Sequence, residues 1–395
     1  MKGIPILLLV VLLTGYLPGC RTGPVSKTGS DVVTGAMRIK DYISLIKDKK
    51  IAIVANQTTL IGKKHLVDTL LSLGLDIKAI FAPEHGFRNL ADAGMSIDND
   101  RDSVTGLPVI SLYGTHLQPT RDDLNETDVV IFDIQDVGTR FYTYISTMTY
   151  VMESCAENNI KFIVLDRPNP NGFYCDGNIL DTAYRSFVGL HPVPVVHGMT
   201  VGEYAQMVNG EGWLKGGIKC DLTIIKCDNY THDKFYNLPV RPSPNLPNQT
   251  SIYLYPSLCF FEGTEVSCGR GTRFPFQVFG SPKLPDRGFS FIPESVAGAL
   301  NPRFQGEKCF GTDLRNSIQE GIVPQPHLNL EWVIEAYKDY PEKEKFFRSY
   351  FDVLAGGPVL REQIIKGMTA DEIRATWTDG LEKYSRMREK YLLYK

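Results

Sequence analysis

The stretch Val129-Val130-Ile131-Phe132-Asp133-Ile134-Gln135-Asp136 holds four consecutive apolar residues and then turns to carboxylates and an amide. A short apolar run without alternation reads as a strand buried on both faces, as in a parallel sheet. The pattern recurs on either side. Ile51-Ala52-Ile53-Val54 leads to Asn56-Gln57, Ile77-Lys78-Ala79-Ile80-Phe81 to Glu84-His85-Gly86, Pro108-Val109-Ile110-Ser111-Leu112 to Tyr113-Gly114, and Phe162-Ile163-Val164-Leu165 to Asp166-Arg167-Pro168. Residues 66–73 and 142–157 carry the helical period, and Leu222-Thr223-Ile224-Ile225 adds a further strand. Strands alternating with helices predict an α/β fold with a mostly parallel sheet. The carboxyl ends of such strands share one edge, where ligands bind, so five polar strand ends converge on one cleft.

The chain has 395 residues, 43% of them hydrophobic and 22% charged, a mix that supports two or three compact domains. A net charge of -3 provides no basic field for a polyanion, so nucleic acid is not an expected partner. The segment Arg241-Pro242-Ser243-Pro244-Asn245-Leu246-Pro247 interrupts regular structure, because each proline fixes φ and removes a donor. It divides an α/β domain, residues 36–240, from a smaller C-terminal α+β domain, residues 241–395. The latter ends in a long helix expected to start at the capping box Thr369-x-x-Glu372 and to align Ile373, Trp377, Leu381 and Tyr384.

Residues 1–19 read as a signal peptide: Lys2 precedes the apolar run from Ile6 to Leu13, too short to span a bilayer. Cys20, after Leu17-Pro18-Gly19, is the expected lipidation point, and residues 20–35 form a flexible tether. These features predict a lipoprotein of the cell envelope, facing the periplasm, whose contact with the membrane is its lipid anchor. Of the later cysteines, Cys155, Cys220, Cys227 and Cys259 lie among apolar residues and read as buried thiols, with one disulfide left open.

Three constellations carry candidate chemistry. In Phe81-Ala82-Pro83-Glu84-His85-Gly86-Phe87, Pro83 and Gly86 pin a turn that sets Glu84 at the cleft floor beside an apolar wall of Phe81 and Phe87. Such a wall favours the protonated carboxyl that a general acid requires. The alternative is a Glu that caps the next element or pairs with Arg88. Phe261-Glu262-Gly263-Thr264-Glu265, followed by Cys268-Gly269-Arg270-Gly271-Thr272-Arg273, combines two carboxylates, two guanidinium forks and three glycines; it is either the opposite cleft wall or a glycine-rich hairpin with surface ion pairs. Asp133, Gln135, Asp136, Arg140 and Tyr142 offer sugar-binding donors and acceptors, unless Asp136 caps the helix near Phe141. Asp166 either supports the site or a rigid turn. No zinc spacing, phosphate loop or nucleophile elbow occurs, His85, His116, His191 and His197 are isolated, and neither a metal nor another cofactor is expected.

The ordered motifs Ala82-Pro83-Glu84-His85-Gly86-Phe87-Arg88, Ile131 to Gly138, Leu165-Asp166-Arg167-Pro168-Asn169-Pro170, Ser243 to Pro247 and Phe261-Glu262-Gly263-Thr264 resemble the bacterial exo-β-N-acetylmuramidases of the NamZ type. The resemblance covers nearly the whole chain after the tether. It implies a Rossmann-like domain, a smaller C-terminal domain with the active cleft between them, and release of β-1,4-linked N-acetylmuramic acid from the non-reducing end of peptidoglycan fragments. Peptidoglycan-derived muropeptides or disaccharides are the implied partners. By resemblance Glu84 is the leading catalytic candidate; the two-carboxylate chemistry of glycosidases makes it the acid, with Glu262, or failing that Glu265, as its partner. His85 and Asn245 join the substrate contacts, and Arg270, Arg273 or Arg140 holds the lactyl carboxylate. The rival reading is a non-catalytic lipoprotein that captures peptidoglycan fragments, for which Glu84 would titrate near the ordinary value of about 4.3.

Overall fold

The computed structural model describes residues 31–88, 100–319 and 324–394. The signal peptide and Cys20 lie outside the described residues, as does the first part of the tether. Described residues from Asp31 onward form one compact unit.

The central sheet comprises β1 (Lys50–Ala55), β4 (Asp76–Ala82), β5 (Asp100–Arg101), β6 (Pro108–Ser111), β7 (Val129–Asp133), β8 (Lys161–Leu165) and β9 (Leu222–Ile225), in the order β5-β6-β4-β1-β7-β8-β9. Six strands are parallel and β5 runs antiparallel at the edge. Between β1 and β4 a small hairpin, β2 (Leu60–Ile61) and β3 (Lys64–His65), leads into helix α2 (Leu66–Ser72). This is the predicted α/β architecture.

Alternation along the strands explains why they read as unbroken apolar runs. Ile51, Ile53, Ile131 and Ile163 face α1 (Ile39–Ile46) and α2, packing with Tyr42, Ile46 and Leu70. Ala52, Val54, Val130, Phe132 and Phe162 face the other way, onto Met148, Val151 and Met152 of α3 (Tyr144–Glu157) and Tyr204 and Met207 of α4 (Val201–Gly210). Water touches neither face, so neither face needs polar side chains.

That second core layer runs on into the C-terminal half, to Phe260, Phe261, Phe351, Ile373 and Tyr384. There α5 (Gln249–Leu258), capped by the Asn248 side chain, precedes a three-stranded antiparallel sheet, β10 (Val278–Ser281), β12 (Cys309–Asp313) and β11 (Ser290–Phe291). Helices α6 (Glu331–Asp339), α7 (Lys343–Phe346), α8 (Ser349–Ala355), α9 (Val359–Ile365), α10 (Ala370–Ala375) and α11 (Thr378–Arg388) complete it. The capping box of Thr369 and Glu372 is present, but the long helix expected after it is two helices. Thr376 donates its hydroxyl to the Ile373 carbonyl, and the Thr376 and Trp377 amides bond three residues back, which tightens the turn and ends α10.

Candidate active site

The strand edge and the C-terminal half enclose a pocket of about 130 Å³. Glu84 and His85 enter it from the end of β4, Tyr113 from the end of β6, and Tyr142, Thr143 and Tyr144 from the start of α3. Glu262, Arg270, Tyr255 and Tyr350 come from the C-terminal half. The structure thus brings together Glu84, His85, Tyr142, Glu262 and Arg270 of the predicted site residues.

Glu84 owes its position to a turn in which His85 and Gly86 are both left-handed, at φ 73° and 84°, with the Gly86 amide bonded to the Pro83 carbonyl. For a residue with a Cβ this region costs about 1–2 kcal/mol, which the turn imposes on His85. Thr143 stands at the N-terminal cap of α3, yet its hydroxyl donates to Glu84 Oε2 at 2.9 Å instead of capping the helix. Burial and the Glu84 charge push the Tyr113 phenol up to about 12, so it remains a hydrogen-bond donor at Glu84. The expected apolar wall is corrected. Phe81 lies in the core behind the sheet and Phe87 packs edge-on against His65, while the pocket that holds Glu84 is lined by tyrosines together with Phe141, Phe187 and Phe276. Arg88 turns away to Asp68 and Asp102, and among the described residues Glu84 has no ion-pair partner.

Opposite, Arg270 donates Nε–H to Glu262 Oε1 and lays its guanidinium 5.1 Å from the Phe276 ring centre. Burial opposes the arginine's charge, but the Glu262 carboxylate outweighs it and holds the guanidinium pKa above its ordinary value. Tyr142, Tyr144, Tyr255 and Phe276 meet edge to face at centroid distances of 4.8, 5.8 and 4.9 Å, forming a rigid aromatic floor. Tyr350 feels the charges of both Glu262 and Glu84, which places the two carboxylates around one space.

The remaining predicted residues do not line the pocket, and all but Arg273 are held by partners elsewhere. Asp133 is buried in a two-bond ion pair with Arg167, at 2.6 and 2.8 Å. Gln135 donates to the carbonyls of Asp136 and Pro168. Asp136 accepts the Gly138 amide in a loop turn and does not cap α3. Arg140 is buried on the carbonyls of Asn178, Val193 and Leu354, and burial lowers its pKa to about 9. Asp166 is saturated by Tyr394, Thr200 and two backbone amides. Asn245 ties its loop to the Gly298 carbonyl, Glu265 pairs with Arg303, and Arg273 is exposed outside the pocket. A polar residue can face the cleft or turn back to hold neighbouring loops; seven of these eight turn back, and Arg273 is exposed.

Sequence reasoning missed Thr143, Tyr144, Tyr255 and Tyr350. Thr143 and Tyr144 fell inside the helical run 142–157, and no motif singled out Tyr255 or Tyr350.

Asp136 gives a pH-dependent prediction. Burial pushes its carboxyl up to about 7, against the pull of the Gly138 and Val137 amides. The unfolded chain ionises first, near 3.8, so as pH rises from about 4 to about 7 the folded state loses stability by about 1.4 kcal/mol per pH unit. Asp136→Asn removes this loss and still offers an acceptor to Gly138. Urea midpoints are expected to favour the variant increasingly between pH 4.5 and pH 8; parallel curves would refute the assignment.

Two carboxylates with unlike surroundings, facing one aromatic-walled pocket on a parallel sheet edge, are the arrangement of a glycoside hydrolase. Family models described as the N-terminal and C-terminal parts of exo-β-N-acetylmuramidase NamZ match residues 51–250 and 253–394. The chain belongs to the NamZ exo-β-N-acetylmuramidase family. It is 38% identical to the peptidoglycan β-N-acetylmuramidase NamZ of Bacillus subtilis strain 168, over 94% of this chain and 92% of that protein. Two crystal structures of DUF1343 family proteins from Bacteroides fragilis share its fold. One is 48% identical with a TM-score of 0.86, covering 93% of this chain and 99% of its own; the other is 27% identical with a TM-score of 0.76, covering 92% and 99%.

Proposed function

We propose that this chain is an exo-β-N-acetylmuramidase in which Glu84 protonates the leaving glycosidic oxygen and Glu262 acts as the second carboxylate. The observation that carries the assignment is the asymmetry of the two groups. Glu262 is ion-paired with Arg270, as suits a carboxylate that faces developing positive charge at the anomeric carbon. Glu84 sits among hydroxyl groups and, among the described residues, has no cation paired with it, as suits the group that must carry the proton. Membership of a family of exo-acting muramidases supports attack at a chain end. Family membership favours catalysis over capture of fragments without turnover.

Of the three arginines weighed for the lactyl carboxylate, Arg270 alone lines the pocket. Its Nε–H engages Glu262, and the outer edge of the guanidinium remains for a two-bonded grip on a carboxylate. An export signal and a lipid on Cys20, holding the enzyme at the periplasmic face of the envelope, complete the proposal; metabolic labelling with a fatty acid, abolished by Cys20→Ala, tests that part.

The activity is tested with a β-1,4-linked N-acetylmuramyl–N-acetylglucosamine disaccharide. Free N-acetylmuramic acid is expected as a product. Binding without any release would contradict the proposal.

A further inference from the structure

Glu262 is held by more than Arg270. Cys268 Sγ lies 3.8 Å from Oε1, and Cys259 Sγ lies 3.9 Å from Oε2. One thiol comes from the 3-10 turn of residues 259–263 that carries Glu262, and the other from the loop that carries Arg270. Both are buried, at 1% and 3% exposure, in a layer that includes Phe260, Phe261 and Phe276. Each carboxylate oxygen therefore meets one S–H from the protein side, while the side chain keeps about a quarter of its surface open.

We infer that Cys259 and Cys268 are positioning residues for the reaction: a pair of weak donors that fixes the direction of the Glu262 carboxylate without quenching its basicity. The inference rests on the reading of Glu262 as the second carboxylate. A thiol is a weak donor, so it orients an oxygen while withdrawing little of its charge, whereas a hydroxyl or amide there would hold the ionised form more tightly. Burial, reinforced by the Glu262 charge, pushes the Cys268 thiol up to about 12 and the Cys259 thiol well above its ordinary value, so both remain S–H donors at neutral pH. Among the described residues, the other titratable groups around Glu262 are Arg270, Tyr255 of α5, Tyr350 of α8 and Glu84 across the pocket. None of them replaces a donor on Oε2: Arg270 engages Oε1, and Tyr255 meets the carboxylate by way of Cys259.

The test compares Cys259→Ala, Cys268→Ala and the double variant with the wild type, using kcat, KM and the pH profile of kcat/KM. Loss of both donors is expected to lower kcat by about 3- to 10-fold with little change in KM. The acid limb, which reports the carboxylate that must be ionised, is expected to move up by about half a pH unit, because the donors favoured the charged form. The Ser variants are expected to return the limb towards its original position or below it. Cys155→Ala, in the core behind the sheet, serves as the control and leaves the profile unchanged. A packing role alone would lower the melting midpoint and the active fraction without moving the limb, and that result overturns the inference. So does an unchanged kcat in the double variant. Glu262→Gln separates the two levels: if it retains full kcat, the reading of Glu262 fails, whereas if it is inactive while the thiol variants are normal, only the present inference fails.

Discussion

Replacing Glu84 by Gln is expected to lower kcat on a β-1,4-linked muramyl disaccharide by about two to four decades, the usual share of a general acid. The amide keeps the volume of the side chain and can still accept the Thr143 hydroxyl, so the turn at His85 and Gly86 has no reason to move. What is lost is the proton for the departing sugar oxygen. KM and the melting midpoint should therefore stay close to the wild type. A muramyl glycoside of nitrophenol leaves as a stable anion and needs little protonation, so its hydrolysis should suffer far less in the same variant. An equal loss on both substrates would show that Glu84 does something other than protonate the leaving group.

The second large effect concerns stability. Arg167 and Asp133 are 3% and 0% exposed, joined by two charged hydrogen bonds, and Arg167 also reaches the Leu60 carbonyl. Arg167→Met leaves a carboxylate with no counter-charge at the end of β7, an inner strand of the sheet. Breaking one side of a buried pair costs about 3–5 kcal/mol, a large part of the roughly 5–15 kcal/mol that holds a typical domain together. Denaturation by urea should shift by that amount, and most of the protein should be unfolded at modest denaturant. Adding Asp133→Leu should recover much of the loss, since a hydrophobic pair can replace a buried ion pair at little cost. If the double variant is no more stable than Arg167→Met, the damage comes from packing and not from the stranded charge.

Asp133 also shows where sequence reading runs out. The strands were legible because burial on both faces leaves an unmistakable run such as Val129 to Phe132. That the strand ends share one edge was legible too, because parallel topology puts them there, but only those of β4 and β6 enter the pocket. The direction of each side chain was not. Asp133, Gln135 and Asp136 differ from Glu84 in nothing that composition reveals, but backbone amides, carbonyls and Arg167 claim them first. Glu84 escapes that fate because its turn is left-handed and projects it away from the sheet. The aromatic floor was hidden for a different reason. Tyr144 and Tyr255 are nearly buried and pack like core residues, and only the three-dimensional structure shows that their edges border a pocket. The break at Thr376 likewise depends on one side-chain hydrogen bond that helical periodicity does not register.

The most direct test of the account is a crystal structure of the Glu84→Gln protein holding the intact β-1,4-linked muramyl disaccharide. The bridging oxygen should lie about 3 Å from the amide at position 84. The anomeric carbon should face Glu262, and the lactyl carboxylate should meet the outer edge of Arg270. A muramyl ring seated anywhere else, or seated here with its bridging oxygen turned away from position 84, would contradict it.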